Sequence, residues 1–251
     1  MWNTACPDWE RRLMAGEPLV PDLPLFKDEA ERALRIFKRL RVPDMHGLPR
    51  MGDVAGPWLF PIVEAIFGSY DPVSNRREIQ EFFWLIPKKN GKSSTSAAIM
   101  VEALIVNRRP EAEFVLVAPT KEIADIAFKQ AAGTIRADPE LSKLFHIQGH
   151  YVRTITHRRM GSSLKVKAAD TDVITGGKFN LGVGLGYGPE DDGWNHGRWM
   201  GEQWIQRVDH YAGSSGGALG ALAALQPERV LIGFHPSLML LARSEERRVG
   251  K

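Results

Sequence analysis

Cysteine is almost absent. Cys6 stands alone among 251 residues, which excludes an internal disulfide and any metal site built from several thiolates. Also missing is any apolar run near the ~20 residues needed to cross a bilayer, and the first residues lack a basic stretch leading into an apolar core. A soluble, cytoplasmic protein with no membrane partner is the expectation. Excess charge is scarce as well: 33 Lys and Arg against 30 Asp and Glu leave +3, which permits a polyanionic partner without requiring one. With 43% hydrophobic and 25% charged residues, there is enough apolar material for a core, and general disorder is excluded. The length suits one domain with appendages.

What is present centres on Pro87, Lys88, Lys89, Asn90, Gly91, Lys92, Ser93 and Ser94. Residues 81 to 86 before it are apolar and aromatic, too short and too β-prone for a helix, and predict a buried strand. Residues 95 to 104 after it predict a buried helix. A strand, a tight loop with Gly-Lys-Ser, and a helix together make backbone N–H groups converge on a phosphate at a positive helix terminus. The motif G-x-x-x-x-G-K-[ST] calls for a glycine where this chain has Ile86, so the loop is a variant. In such a loop Lys92 reaches the β- and γ-phosphates of a nucleotide and the Ser93 hydroxyl holds Mg2+. A plain basic turn is the competing reading, and the flanking strand and helix argue against it.

Along the chain, residues 1 to 26 carry Pro7, Pro18, Pro21 and Pro24 and predict an irregular arm. Residues 27 to 42, acidic at the start and basic at the end, predict an amphipathic helix. A second helix is expected over 58 to 67, with Pro61 in its first turn and Gly68 at its end, then a loop over 69 to 77. There Arg76 and Arg77 are either surface arginines or reach a phosphate. Residues 113 to 119 predict a second buried strand, and Thr120 caps a helix running to about residue 137. This alternation marks an α/β fold with a mainly parallel sheet flanked by helices. Asp138-Pro139 opens a short helix. Strand is expected from 146 to 157 and again from 164 to 168. The cations His157, Arg158, Arg159, Lys165 and Lys167 gathered there suit either a DNA-facing surface or an ordinary exposed hairpin. From residue 180 glycine alternates with bulkier residues, and the periodicity is lost. Glycine at this density is expected to resist both helix and strand.

The chain resembles the large terminase subunit of tailed bacteriophages, the ATPase that packages DNA into the procapsid. Residues 82 to 94 carry the resemblance, and the segments 4–12, 57–60 with 66–68, 117–120 and 167–172 follow in family order, so that it spans roughly 4 to 179. The resemblance implies a Walker A loop in which Lys88 is the basic γ-phosphate residue, with residues 58 to 67 beside the adenine. It implies ATP and Mg2+ as cofactors. Its implied partners are double-stranded DNA, a small terminase subunit, the portal protein and further copies arranged in a ring, in the host cytoplasm.

The departure comes after Gly176-Gly177, where the family continues with an apolar strand ending in Asp-Glu. Here Glu190-Asp191-Asp192 follow Gly188-Pro189 instead, so Glu190 is a weak candidate for the catalytic acid and a solvated acidic turn the stronger reading. The family's nuclease domain has no counterpart, and the chain is expected to be truncated and impaired. A frame shift near Phe179 would explain the change, since residues 229 to 236 read one base later permit Gly-Phe-Leu-Leu-Val-Ser-Thr-Gln, close to the family's next strand. The expected organisation is an arm and helix over 1–56, an incomplete ATPase core over 57–179, an atypical segment over 180–242 and a charged, artefactual tail over 243–251. A helicase-like ATPase and a non-catalytic nucleotide-binding fragment remain as alternatives.

Overall fold

A computed structural model describes residues 8–17, 20, 25–71, 73–74, 76–77, 79, 81–85, 91–118, 121–168, 181–184 and 230–234. They fall into two compact units, one drawn from 1–35, 55–90 and 210–251 and the other from 36–54 and 91–209. The arm over residues 1 to 26, expected to be irregular, holds helix α1 (Trp9–Ala15), and α2 (Lys27–Arg39) follows it. The expected helix over 27 to 42 ends three residues early, because Arg41 leaves it to bridge Arg50.

In the first unit a 3-10 turn (Pro57–Leu59) runs directly into α4 (Phe60–Gly68) with Pro61 in its first turn, where a missing N–H costs no intrahelical bond. Gly68 is still helical, and its value lies in packing rather than in a left-handed turn. A Cβ there would stand 2.7 Å from that of Ala30, and the Gly68 carbonyl accepts from Phe26 N at 2.9 Å. Where a loop was expected, β1 (Tyr70–Asp71) and β2 (Arg76–Arg77) form a small antiparallel hairpin. The strand β3 (Glu81–Leu85) appears as expected and pairs in parallel with the last described strand, β9 (Val230–Phe234), from Glu81↔Val230 to Leu85↔Phe234.

The second unit holds the short α3 (Met51–Val54), α5 (Lys92–Val106), α6 (Lys121–Arg136) and α7 (Pro139–Leu144). Its strands are β4 (Glu113–Ala118), β5 (Phe145–Gln148), β6 (Thr154–His157), β7 (Ser163–Ala168) and β8 (Leu181–Gly184). They make one sheet in the order β5-β6-β7-β4-β8. β4 pairs in parallel with β7 and β8, and β6 extends the sheet antiparallel to β7 and β5. The α/β class therefore holds, with α6 inside the crossover from β4 to β7.

The Asp138 cap is seen directly: its carboxylate accepts from Glu140 N at 2.9 Å and Leu141 N at 3.3 Å. Two further expectations need correction. The single strand over 146 to 157 is two strands, broken at residues 149 to 153, where Tyr151 is left-handed at φ 60°. And the glycine-alternating run does not resist a strand over Leu181–Gly184. Its backbone pairs with β4 from Phe114↔Leu181 to Val117↔Gly184. A neighbouring strand that completes the ladder outweighs glycine's entropic cost of about 1 kcal/mol per residue. The Thr120 cap lies outside the described residues.

Helix α5 is buried over ten consecutive residues, from Thr95 to Leu104, and one of them is Glu102. Its side chain is fully buried, and among the described residues neither carboxylate oxygen has a hydrogen-bond partner. Burial pushes its pKa up to about 9, so the group is a neutral acid at pH 7. The folded chain then holds a proton that the unfolded chain releases above about pH 4.5. Stability contributed by this proton is complete below that pH and drains away as pH rises towards 9. Urea denaturation should show Glu102→Gln gaining over the parent by up to about 1 kcal/mol per pH unit across this window, with no gain at pH 4.

Candidate functional site

The site is built from the first turn of α5. Gly91 precedes it with left-handed backbone, φ 73° and ψ 15°, a conformation that costs other residues roughly 1–2 kcal/mol. Space does not demand glycine here, since the nearest atom to an added Cβ is Thr95 Oγ1 at 4.0 Å; the dihedral does. The first bond of the helix runs from Thr95 N to Gly91 O at 2.8 Å. The amides of Ser93 and Ser94 precede it, so the helix itself offers them no carbonyl. Gly91 has no side chain to cap the turn and no acidic residue lies in it, and the positive end of a helix macrodipole favours an anion.

Lys92, Ser93 and Ser94 are all half-buried. Burial lowers the Lys92 pKa below the usual lysine range, because partial desolvation penalises the ammonium. A neighbouring phosphate would reverse that penalty. The Ser93 hydroxyl is of the oxygen type Mg2+ takes, when phosphate oxygens and water complete the octahedron. Among the described residues no group of three or more His, Cys, Asp or Glu could hold a metal by itself. The predicted residues Gly91, Lys92, Ser93 and Ser94 thus come together on one turn, while Pro87, Lys88, Lys89, Asn90 and Glu190 lie outside the described residues.

Arg77 donates to the Ile66 carbonyl near the end of α4, which ties it to that helix. Of the five cations expected near the β6–β7 turn, only Arg158 and Arg159 are exposed. Lys165 pairs with Glu113, and Lys167 is half-buried. The Nδ1 of His157 accepts from Arg159 N and Met160 N, both at 3.2 Å, while its ring meets Phe145 edge-on with centroids 5.0 Å apart. It shapes the turn.

Residues 57–183, just over half of the chain, match the family described as the terminase large subunit, ATPase domain. Among solved structures, the large terminase of bacteriophage HK97 aligns at TM-score 0.49 and 20% identity, over 82% of this chain and 37% of that one. The large terminase ATPase domain of Thermus phage P74-26 aligns at 0.39 and 15%, over 63% and 61%. A large terminase from another thermophilic bacteriophage aligns at 0.37 and 13%, over 65% and 34%. The chain thus spans less than two thirds of each of these proteins. No curated protein matches it significantly. Among the described residues no helix is long and apolar enough to cross a membrane.

Gly91→Ala should lower the unfolding free energy by about 1 kcal/mol, the cost of a left-handed alanine, as read from urea denaturation. An equal or higher value would show that the turn does not need glycine.

Proposed function

Because this chain belongs to the terminase large-subunit ATPase family, we propose that it binds ATP with Mg2+ at the start of α5, in the motor that drives double-stranded DNA into a phage procapsid. The observation that carries the reading is the left-handed Gly91 set before Lys92 and Ser93 on a helix too deeply buried to shift. The amides of Ser93 and Ser94 donate to phosphate oxygens, Lys92 neutralises the β- and γ-phosphates and Ser93 holds the metal. Bound Mg2+ supplies charge neutralisation at the same oxygens. Pro87, Lys88, Lys89 and Asn90 complete the cradle, with Lys88 beside the γ-phosphate. Catalysis in such a site is positioning and charge stabilisation, with no covalent intermediate.

The ATPase core of this proposal runs over 57–179, the arm over 1–56, and the atypical stretch beyond 180 ends in the charged tail over 243–251. In the whole motor the partners are double-stranded DNA, the small terminase subunit, the portal protein and further copies in a ring, in the host cytoplasm.

A second reading has one specific observation behind it. The sequence after Gly176-Gly177 carries no Asp-Glu pair at the end of an apolar strand, so this chain binds nucleotide without hydrolysing it efficiently. Filter binding with labelled ATP and a phosphate-release assay separate the two. Binding should be measurable, Lys92→Ala should weaken it about tenfold or more, and turnover should be slow. Binding untouched by Lys92→Ala would overturn the site. Brisk magnesium-dependent turnover would overturn the second reading, and loss of that turnover in Glu190→Gln would identify Glu190 as the acid.

A further inference from the structure

The sheet of the second unit ends on β5, and among the described residues nothing pairs with its outer edge. The bonds around β5 show which backbone groups face outward. Arg158 N donates to Leu144 O at 2.9 Å just beyond the β5–β6 ladder, while His157 N donates to Ser162 O at 2.8 Å and Val166 N to Arg153 O at 3.3 Å, across to β7. Residues of an antiparallel strand alternate in the neighbour they bond. Thr154 and Thr156 thus turn their backbones to β5 and meet those of Gln148 and His146. Phe145 and Ile147 point their N–H and C=O groups away from β6, and by the same alternation so does Gly149.

The edge is a short window with defined ends. At one end α7 closes it, since Phe145 N donates to Leu141 O. At the other, left-handed Tyr151 at φ 60° turns the chain back towards β6. Between them stand the Phe145 carbonyl, both backbone groups of Ile147 and the Gly149 amide. An added Cβ at Gly149 would meet nothing within 4 Å, so the approach is open there. His146 and Gln148 are exposed, Ile147 is half-buried and Phe145 is buried. β5 carries no proline and no Lys, Arg, Asp or Glu, the residues that blunt an edge.

Peptide groups spaced along an open edge select an extended strand as partner. We propose that this strand is β5 of a second copy of the chain, laid antiparallel on a two-fold axis through Ile147. In that register Ile147 exchanges both of its bonds with its counterpart, and each Phe145 carbonyl accepts from the Gly149 amide of the other copy. Read along the chain, the window is an acceptor, then a donor with an acceptor, then a donor, and it complements itself in reverse. The side chains agree. His146 stands opposite Gln148 of the second copy in the close, non-hydrogen-bonded position, where imidazole and amide bond in either tautomer of the ring. Ile147 meets Ile147, Phe145 lies opposite a glycine, and no like charges face each other. A two-fold contact closes on itself. It therefore differs from the head-to-tail contacts of a ring, and it goes beyond the motor proposed above by covering, in the free chain, an edge open to any other strand.

The ladder is short, so association should be weak, with a dissociation constant on the order of 100 µM. Sedimentation equilibrium of the full chain across that range should show a dimer. Ile147→Pro, which removes an outward donor, should weaken it about tenfold or more. His146→Lys with Gln148→Lys, at two exposed positions where like charges would meet, should do the same and keep the parent's urea midpoint, which separates a lost contact from a lost fold. Disulfide trapping in a Cys6→Ser background tests the register. His146→Cys together with Gln148→Cys should give a covalent dimer under mild oxidation, because opposed residues stand about 4.5 Å apart at Cα. His146→Cys alone should not, as its counterpart lies diagonally, about 7–8 Å away. A parent chain that stays monomeric, whether or not it takes up another extended peptide, would overturn the pairing. So would a lysine pair that dimerises as well as the parent, or equal trapping by His146→Cys alone.

Discussion

The burial of α5 is the constraint on which the site depends. Ten successive residues of the helix are out of water, among them Ile99, Met100, Val101 and Leu104, each contributing about 2 kcal/mol on burial. A helix held on all sides cannot slide to suit its ends. Whatever stands at its first turn is therefore presented in a fixed place, and there the chain puts a left-handed glycine, a lysine and two serines. Preorganisation of this kind is what phosphate binding needs, because the donors are aligned before the ligand arrives.

The same burial carries a conflict. Glu102 sits inside this helix as a carboxylic acid whose oxygens have no partner among the described residues, and a buried carboxyl without a partner is tolerated only when neutral. Local rules are broken most often where a structure serves something beyond stability. Here the cost falls on the very helix that presents Lys92, so the pH dependence of folding and the integrity of the proposed phosphate-binding turn are linked through one element.

Much of this was legible in the residues. The Asp138-Pro139 pair carries its own hydrogen-bonding chemistry and formed the cap expected of it. The apolar runs that became β3, β4 and α5 are long enough, and bounded sharply enough, to be read without tertiary context. What escaped is what other parts of the chain supply. Leu181–Gly184 is a strand because β4 completes its ladder, and no local preference announces that. The break between β5 and β6 hangs on a left-handed Tyr151, a residue type with no preference for that conformation. Gly68 was read as a helix stop when Ala30, 38 positions away, sets its role. The loops after α5 and after β6 are bonded through Glu111 and Met160, a contact that spacing in the sequence does not reveal. For the site, residues 91 to 94 were visible as a motif, and the structure adds the left-handed backbone of Gly91 that the proposed phosphate binding needs.

Amide hydrogen exchange over the first turn of α5, with and without a non-hydrolysable ATP analogue and Mg2+, examines this presentation of donors most directly. If the amides of Ser93 and Ser94 grip phosphate on a helix already in place, their exchange should slow about tenfold or more on binding, while the buried stretch from Thr95 to Leu104 stays equally protected in both states. Unchanged exchange at Ser93 and Ser94 under saturating nucleotide, or protection that spreads along the whole helix as though it formed only on binding, would contradict a preformed phosphate-binding turn.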